Sequence, residues 1–306
     1  MEEKKLYIFK KLWGVMSEPG NEKIPLGLYE KALPDSFNWE EKLLSARDAG
    51  YSFMEFSIDE TDKRIERLEW DSNKKKDLRE MSEKTGVPLL SMCLSANRRF
   101  PIGSSHTDIQ KKGMEIIINA IHFASQLGIR LIQIAGYDVM AGEKSTDLSR
   151  EAFGNNLKKC LKVAASHGVI LAMENVDSEF ADSLDKIMYY VNDINSPWLQ
   201  IYPDIGNLTA MGQDVTKQLK DYGNHIVAVH IKDTRPGVVR NVPFSEGIVD
   251  FVSTFNALSD IDFRGPLLLE MWADSKKDNF NTIRNSREWI INKLKQSNYS
   301  INSFAV

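Results

Sequence analysis

Residues 169–175 read VILAMEN, a short apolar run that carries the acidic residue Glu174 near its end. Three later runs have the same form: LQIYPD (199–204) ends on Asp204, IVAVHIK (226–232) contains His230, and PLLLEMW (266–272) contains Glu270. Short runs of this composition are typical of strands that are buried on both faces of a parallel sheet. An ionisable group at the end of such a strand costs free energy unless a ligand or a metal ion compensates its charge.

These four polar residues are 30, 26 and 40 residues apart along the chain. Each interval suits one strand-plus-helix unit, so we expect the four residues on consecutive strands of a parallel barrel, at the mouth where barrel enzymes carry out their chemistry. Three carboxylates and one imidazole suit a divalent ion such as Mn²⁺, Mg²⁺, Co²⁺ or Zn²⁺. Any one of them alone is more simply explained as a capping or pocket residue, and for the four together the pattern by itself leaves both interpretations open.

The whole chain contains eight apolar runs that follow turn signals, separated by segments with helical periodicity. The predicted strands are 25–31, 53–58, 88–95, 130–136, 169–175, 199–204, 226–232 and 266–272. The clearest predicted helices are 39–49, 107–127, 149–166 and 280–294, and the glycines placed to stop helices are Gly50, Gly86, Gly128, Gly168 and Gly265. Eight such units predict an α/β protein, a (β/α)8 TIM barrel that forms a single domain over residues 25–306.

Two features of the chain limit the alternatives to this fold. A doubly wound open sheet would also alternate strands and helices, but the glycine-rich phosphate turns GxGxxG and GxxxxGK[ST] are absent from the sequence. Residues 1–24 have no place in an eight-unit barrel. We interpret them as an N-terminal extension that packs on the outside of the barrel or on a second subunit of a homodimer.

Composition and charge indicate an ordinary globular protein that acts on small molecules. The formal net charge is −4 and no basic stretch stands out, so nothing predicts a nucleic-acid partner. No apolar stretch approaches the roughly 20 residues of a membrane span, and charges interrupt the N-terminus before a signal sequence could form. The two cysteines, Cys93 and Cys160, are expected to be buried thiols in a reducing compartment, which favours the cytoplasm.

Several local sequences resemble one known family. They are PLGLYEKAL (25–33), CLSANRRFPIGS (93–104), IQIAGYDV (132–139), MENVD (173–177), YPDIGNLTA (202–210), HIKDTRPG (230–237), NVPFSEGIVDF (241–251) and LLLEMW (267–272). Together and in this order they resemble the L-ribulose-5-phosphate / L-xylulose-5-phosphate 3-epimerases of the xylose isomerase-like barrel superfamily. The resemblance extends from about residue 25 to about residue 290.

This resemblance implies a function for the four strand-end residues. One divalent metal ion would be held by Glu174, Asp204, His230 and Glu270, and the two glutamates would also be the catalytic acid and base. Epimerisation beside a ketone needs such a pair, because one group removes the C3 proton and another returns a proton on the opposite face. Asp204 and His230 would then be ligands only.

A phosphorylated ketose is the expected substrate. Related enzymes for free ketoses have a histidine shortly after the sixth-strand aspartate, whereas this chain has Asn207, as the sugar-phosphate branch does. We expect Arg235, in the loop beyond His230, to bind a substrate oxygen or the phosphate, because a guanidinium matches either. The further expected substrate contacts are Lys232, Arg98 or its neighbour Arg99, and Glu55, a strand residue that needs a partner such as Lys31, Lys232 or a substrate hydroxyl.

Three other functions stay open at this point. An aldose–ketose or hexulose-phosphate isomerase would use the same metal site but move a proton between C1 and C2. A DNA-repair endonuclease of the same superfamily would need more strand-end histidines than this chain has, because His106, His122, His167 and His225 lie in helix or strand-start contexts and are expected to be structural. A non-catalytic sugar-phosphate-binding barrel is disfavoured by the presence of both glutamates.

Overall fold

The computed structural model describes residues 26–299, so the predicted extension at residues 1–24 lies outside the described residues. Eight parallel strands form one sheet. They are β1 (Leu26–Tyr29), β2 (Phe53–Ile58), β3 (Leu89–Leu94), β4 (Leu131–Ala135), β5 (Ile170–Glu174), β6 (Leu199–Ile201), β7 (Val229–Ile231) and, after a small ribbon, β10 (Leu267–Leu269). All eight predicted strands are therefore confirmed, with ends that differ by up to three residues.

The sheet curls into a ring. Its hydrogen-bonded order is β6-β5-β4-β3-β2-β1-β10-β7. Strands that follow each other along the chain are therefore neighbours in the sheet, and β10, the eighth barrel strand, lies between β7 and β1. Two isolated parallel bridges, Ile201 with Ile226 and Asp204 with His230, connect the two end strands. The second bridge joins two of the four predicted metal ligands, because the backbone amide of His230 donates to the carbonyl oxygen of Pro203 at 2.8 Å.

Helices surround the sheet in the positions expected for a (β/α)8 barrel. They are α1 (Trp39–Asp48), α2 (Asp62–Ile65), α3 (Ser72–Thr85), α4 (Thr107–Leu127), α5 (Asp147–His167), α6 (Leu184–Ile194), α7 (Ile205–Ala210), α8 (Val215–Asp221), α9 (Phe251–Asp260) and α10 (Asn279–Gln296). Helix α5 begins two residues before its predicted start, because Thr146 is the N-cap and Ser149 completes a capping box with it. Among residues 26–299, no helix is long and apolar enough to cross a membrane.

Four of the five predicted helix-stop glycines have the expected left-handed backbone. Gly50, Gly86, Gly128 and Gly168 have φ between 63° and 86°. The prediction for Gly265 is wrong: the left-handed residue after α9 is Asp262, with φ of 52°. Gly265 is needed for space instead, since a Cβ atom there would lie 2.5 Å from the ring of Phe263.

The barrel interior consists of an apolar layer and a polar layer. Alternate residues of a strand point the same way, so Ile170 and Ala172 share a face of β5 with Glu174. Ile170 and Ala172 belong to a buried apolar cluster that also contains Tyr202 of the β6 segment and Ala228 before β7. Because the strands run towards the mouth, this cluster lies deeper than Glu174 and supports the polar residues at the strand ends.

One element was not predicted. A two-stranded antiparallel ribbon, β8 (Asp233–Arg235) and β9 (Val238–Val242), follows β7 directly. It projects from the carboxyl end of the barrel, and two of its residues, Val239 and Arg240, line the pocket at the mouth. The ribbon therefore contributes to the walls of the site.

Candidate metal centre

The four predicted ligands converge at the mouth of the barrel. One ligand atom from each of Glu174, Asp204, His230 and Glu270 lies within 4.8 Å of the corresponding atoms of the other three. All four side chains are buried, and Asp204 and His230 are fully inaccessible to solvent. Three carboxylates this close together repel one another strongly, so the arrangement requires cations among them.

Asp204 is held in place by the start of helix α7. It follows β6 and caps α7, because its Oδ1 atom accepts a hydrogen bond from the backbone amide of Asn207 at 2.8 Å. Its other oxygen, Oδ2, is buried and has no well-aligned hydrogen bond among the described residues, although Lys232 Nζ lies 2.6 Å away. A buried oxygen of this kind, among three further oxygen and nitrogen donors, fits a divalent ion.

The pKa values in the cluster reflect the crowding of charges. Burial raises the pKa of Asp204 to about 7, and the neighbouring carboxylates Glu270 and Glu174 add to the rise against the opposing effect of Lys232. Burial also disfavours the charged form of Glu270, but Lys232 and His230 outweigh it and lower the pKa of Glu270 to about 2. The two carboxylates compete for the same ammonium group, so the site has more negative charge than its own cations balance.

Lys232 is the cation at the centre of this competition. Its Nζ atom lies 2.6 Å from Asp204 Oδ2 and 2.7 Å from Glu270 Oε2. Burial alone would lower the pKa of Lys232, but the Asp204 and Glu270 carboxylates raise it well above its ordinary value. Lys232 lines the pocket together with Glu270, so its ammonium group can reach an oxygen atom of a bound ligand.

His230 has a carboxylate on each side of its ring. Nδ1 lies 2.7 Å from Glu174 Oε1, and Nε2 lies 2.9 Å from Glu55 Oε1. Burial alone would lower the pKa of His230, but the Glu55 and Glu174 carboxylates raise it well above its ordinary value. Neither lysine expected beside Glu55 contacts it, because Lys31 binds Asp59 and Lys232 binds Asp204 and Glu270.

Glu174 is also fixed from a second direction. Gln133 of β4 donates from Nε2 to Glu174 Oε2 at 2.5 Å. Gln133 is fully buried and points into the barrel. Its role was not predicted, although a polar residue at an inward position of the run RLIQIAG is the signal that could have revealed it.

The pocket above the cluster has both basic and acidic residues around its rim. Its lining includes Glu174, Glu270, Lys232 and Asn207 at the cluster, Lys31, Arg98 and Arg240 as further basic residues, Glu60 and Asp177 as further acidic residues, and the aromatic residues Tyr29, Tyr137 and Trp272. The Arg240 guanidinium lies 5.7 Å from the centre of the Trp272 ring. These positive groups face a site that already contains several carboxylates, which suits a ligand with a polar body and a separate anionic group.

Two adjacent arginines take different directions. Arg98 lines the pocket, donates from Nη2 to the Tyr137 hydroxyl at 3.0 Å and stacks over that ring at 4.9 Å. Arg99 points outward, where its Nη1 atom binds Asp62 at 2.7 Å. Of the two arginines expected near the substrate, the structure therefore brings Arg98 to the pocket.

Arg235 and Asn207 occupy less direct positions than expected. Arg235 is half exposed and does not line the pocket. Its guanidinium binds both the backbone carbonyl oxygen and the side-chain carboxylate of Glu246. Asn207 does line the pocket, but its side-chain nitrogen, Nδ2, donates to the backbone carbonyl oxygen of Asn175 at 2.9 Å. Arg240 is the arginine of the ribbon that lines the pocket. No sequence signal could have distinguished it, because the ribbon itself was not predicted.

Asp233 ties the ribbon to the loop that follows it. The carboxylate of this buried residue accepts hydrogen bonds from the backbone amides of Ser245 at 3.1 Å and Gly247 at 2.9 Å. A Cβ atom on Gly247 would lie 1.9 Å from Asp233 Oδ1, so only glycine fits there. These contacts explain why HIKDT and NVPFSEG occur in the same chain: one supplies the acceptor and the other supplies the donors.

The remaining histidines and the cysteines lie outside the metal group. His122 and His167 stack on each other, His106 lies near Glu143, and His225 contacts Gln200. Cys93 and Cys160 are buried and free, as predicted. Cys93 does line the pocket, but burial raises the pKa of its thiol well above the ordinary value, which keeps it protonated.

Comparison with known proteins places this geometry in a family. The sequence profile of the xylose isomerase-like TIM barrel family matches residues 43–293. L-ribulose-5-phosphate 3-epimerase UlaE of Escherichia coli O139:H28 (strain E24377A / ETEC) is 45% identical over 270 residues, which cover 88% of this chain and 95% of that protein.

Solved structures of similar fold are less similar in sequence. The structure of an L-ribulose 3-epimerase has a TM-score of 0.72 and 21% identity, and the match covers 88% of this chain and 94% of that one. The D-psicose 3-epimerase of Clostridium cellulolyticum H10 with D-tagatose has a TM-score of 0.75 and 14% identity, over 88% and 99% of the two chains. At these identities the structures support the barrel fold, and the sequence matches support the family. The chain therefore belongs to the xylose isomerase-like TIM barrel family and, within it, to the L-ribulose-5-phosphate 3-epimerases.

Proposed function

We propose that this protein is an isomerase that interconverts L-ribulose 5-phosphate and L-xylulose 5-phosphate by epimerisation at C3. The proposal is carried by the buried group of Glu174, Asp204, His230 and Glu270 at the mouth of the barrel. The chain that contains this group is 45% identical to a protein named L-ribulose-5-phosphate 3-epimerase. The same four residues were predicted from strand ends alone. Their convergence supports a shared site.

A divalent ion fits this group and would be held by the same four residues. When bound, it would supply a Lewis acid that stabilises the negative charge developing on the ketose as the C3 proton leaves. We expect Mn²⁺, Co²⁺, Zn²⁺ or Mg²⁺ to serve, because oxygen-rich sets with one imidazole accept any of them.

The two glutamates approach from different parts of the ring. Glu174 ends β5 and Glu270 follows β10, and strands β6 and β7 separate them around the barrel. A ketose bound between them would present its C3 proton to one carboxylate and the opposite face of C3 to the other. One glutamate then removes the proton and the other returns one, which inverts the carbon.

The polar neighbours control which atoms of the glutamates are available. Gln133 holds Oε2 of Glu174 at 2.5 Å, and Lys232 binds Oε2 of Glu270 at 2.7 Å. Fixing one oxygen of each carboxylate restricts its rotation. The other oxygen of Glu174, Oε1, faces Nδ1 of His230 inside the four-residue group. Lys232 is also placed to donate to a substrate oxygen that carries developing negative charge.

The rim of the pocket supports a phosphorylated substrate. Arg98, Lys31 and Arg240 all line the pocket and lie outside the carboxylate cluster. We propose that Arg98 holds the phosphate with help from Arg240, and that Arg235 acts at most through the ribbon. Glu55 is fully buried and absent from the pocket lining, so we assign it no direct contact with the substrate.

Turnover before and after metal removal tests this proposal. Protein stripped with EDTA should lose conversion of L-ribulose 5-phosphate to L-xylulose 5-phosphate, and adding Mn²⁺, Co²⁺, Zn²⁺ or Mg²⁺ should restore it. An inactive His230→Asn variant should stay inactive with added metal. Full activity in protein shown by elemental analysis to be metal-free contradicts the proposed site. Location in the cytoplasm and assembly as a homodimer remain predictions from the sequence.

A further inference from the structure

Glu55 is a buried carboxylate that the proposed reaction does not use directly. It lies on β2, it is fully inaccessible to solvent, and no lysine or arginine forms an ion pair with it among the described residues. Burying a carboxylate is costly unless its neighbours compensate the charge, so those neighbours must explain why it is there. Its contacts are His230 on one oxygen, and Ser91 and Tyr202 on the other.

These contacts give Glu55 a fixed orientation. Ser91 donates to Oε2 at 2.6 Å, and the Tyr202 hydroxyl donates to the same oxygen at 3.2 Å. The remaining oxygen, Oε1, faces Nε2 of His230 at 2.9 Å. Because a carboxylate of this kind can only accept, the nitrogen opposite it must carry the hydrogen.

The other ring nitrogen faces the metal group. Nδ1 of His230 lies 2.7 Å from Glu174 Oε1, which belongs to the four-residue group, whereas Glu55 does not belong to it. The ring itself packs against Tyr202, with 4.4 Å between the ring centres. These contacts set the ring plane. Without an ion, Nδ1 also donates to a carboxylate, Glu174, but only Nδ1 faces the four-residue group, so Nδ1 is the nitrogen that would lose its hydrogen to a bound ion while Nε2 keeps its own.

We propose that Glu55 is a positioning residue for the metal: it accepts the Nε2 hydrogen of His230 and so holds the tautomer in which Nδ1 binds the ion. Carboxylates that accept the second N–H of a metal-binding histidine fix the ring and raise its basicity, and their loss typically weakens metal affinity about 10- to 100-fold. This inference rests on the proposed metal site. It gives Glu55 a role that the substrate-contact and lysine-partner interpretations do not.

The direct test replaces Glu55 by glutamine and measures metal binding rather than turnover. Glu55→Gln keeps the size of the side chain and one acceptor oxygen but removes the negative charge. We expect its Mn²⁺ dissociation constant, measured by calorimetry on folded protein, to rise about 10- to 100-fold. Asp138→Asn is the matched control, because Asp138 is also buried but contacts Ser145 and Ser149 and lies outside the metal group. Its dissociation constant should equal that of the wild type.

A second measurement reads the tautomer of His230 in the unaltered protein. In the Zn²⁺-loaded wild type, long-range ¹H–¹⁵N spectra should show His230 protonated at Nε2 and metal-bound at Nδ1, with the signal assigned by its loss in His230→Asn. This readout remains decisive if Glu55→Gln does not fold. Zn²⁺ bound through Nε2, or an unchanged Mn²⁺ affinity in Glu55→Gln, overturns the role of Glu55. A wild-type protein that binds no divalent ion instead overturns the metal site on which the role depends.

Discussion

Replacing Arg98 by alanine tests how the pocket recognises a phosphate. Arg98 lines the pocket and is only about a quarter exposed, with 27% of its side chain accessible. Its guanidinium has five N–H donors, of which one binds Tyr137 at 3.0 Å, while Glu60 lies at the longer distance of 3.8 Å. At least two donors are therefore available to a bound anion.

The expected loss follows from those two donors. A hydrogen bond to a charged group contributes about 1.5–3 kcal/mol, so two contribute about 3–6 kcal/mol. Partial exposure screens the interaction, which favours the lower end. At about 1.4 kcal/mol per tenfold, a loss of about 3 kcal/mol reduces kcat/KM about 10²-fold.

The assay compares two substrates and two neighbouring arginines. Arg98→Ala should lower kcat/KM for L-xylulose 5-phosphate about 10²-fold and leave the low kcat/KM for free L-xylulose nearly unchanged. Arg99→Ala is the matched control, because Arg99 binds Asp62 outside the pocket. It should leave both values at the wild-type level.

Two results refute the reasoning. An equal loss on the phosphate ester and on the free ketose would show that Arg98 supports the site as a whole instead of binding the phosphate. A wild-type enzyme that does not distinguish L-xylulose 5-phosphate from L-xylulose would remove the phosphate argument altogether and move the protein to the branch that acts on free ketoses.

Three further predictions concern the ribbon, the two bases and a buried ion cluster. Arg240→Ala should reduce kcat/KM for the phosphate ester more than Arg235→Ala does, because Arg240 lines the pocket and Arg235 binds Glu246. A larger loss in Arg235→Ala, measured by steady-state kinetics, would show that Arg235 contacts the phosphate instead. Metal-loaded Glu174→Gln and Glu270→Gln should each lose about 10²-fold or more in turnover. Each variant should still exchange the C3 proton of one epimer with solvent. Epimerisation at a near wild-type rate in both variants contradicts the two-base assignment. Glu30 is buried with Arg64 and Arg67 at 2.8 Å and Lys42 at 3.2 Å, so Glu30→Gln should lower the free energy of unfolding at neutral pH by about 3–5 kcal/mol in denaturant titrations. Burial raises the pKa of Glu30, but Arg67, Lys42 and Arg64 outweigh burial and lower that pKa below its ordinary value of 4.5. The difference in unfolding free energy between wild type and variant should therefore persist at neutral pH and shrink as the pH falls below about 4.5. A difference that does not change with pH contradicts this prediction.

The strand positions and the four polar residues that converge at strand ends were predictable because each depends on local pattern. A buried parallel strand needs a continuous apolar run, so a polar residue at its end is conspicuous, and VILAMEN and PLLLEMW both show this. The helix stops were predictable where glycine supplies a left-handed backbone, as at Gly128 and Gly168. Gly265 misled the prediction because a glycine needed for space and a glycine needed for its φ angle look the same in a sequence.

Contacts between distant residues were not predictable in the same way. Glu55 was expected to need a partner, but its partner is His230, 175 residues away, and no local pattern distinguishes a histidine from a lysine at that distance. The ribbon at 233–242 was missed because its strands are short and β9 has no buried residue that would give an apolar alternation. Which arginines face the pocket depends on that ribbon and on the turn after β3, so the choice of Arg98 over Arg99 needed the structure.

Incubating the metal-loaded enzyme with L-xylulose 5-phosphate in D₂O tests the central claim most directly. The proposed mechanism removes and returns a proton at C3, so NMR should show deuterium at C3 of both L-xylulose 5-phosphate and the L-ribulose 5-phosphate that forms. Glu174→Gln should incorporate less label into one of the two epimers than into the other. Deuterium at C1 or C2, with C3 unlabelled, would show that the enzyme is an aldose–ketose isomerase and would contradict the assignment as a 3-epimerase.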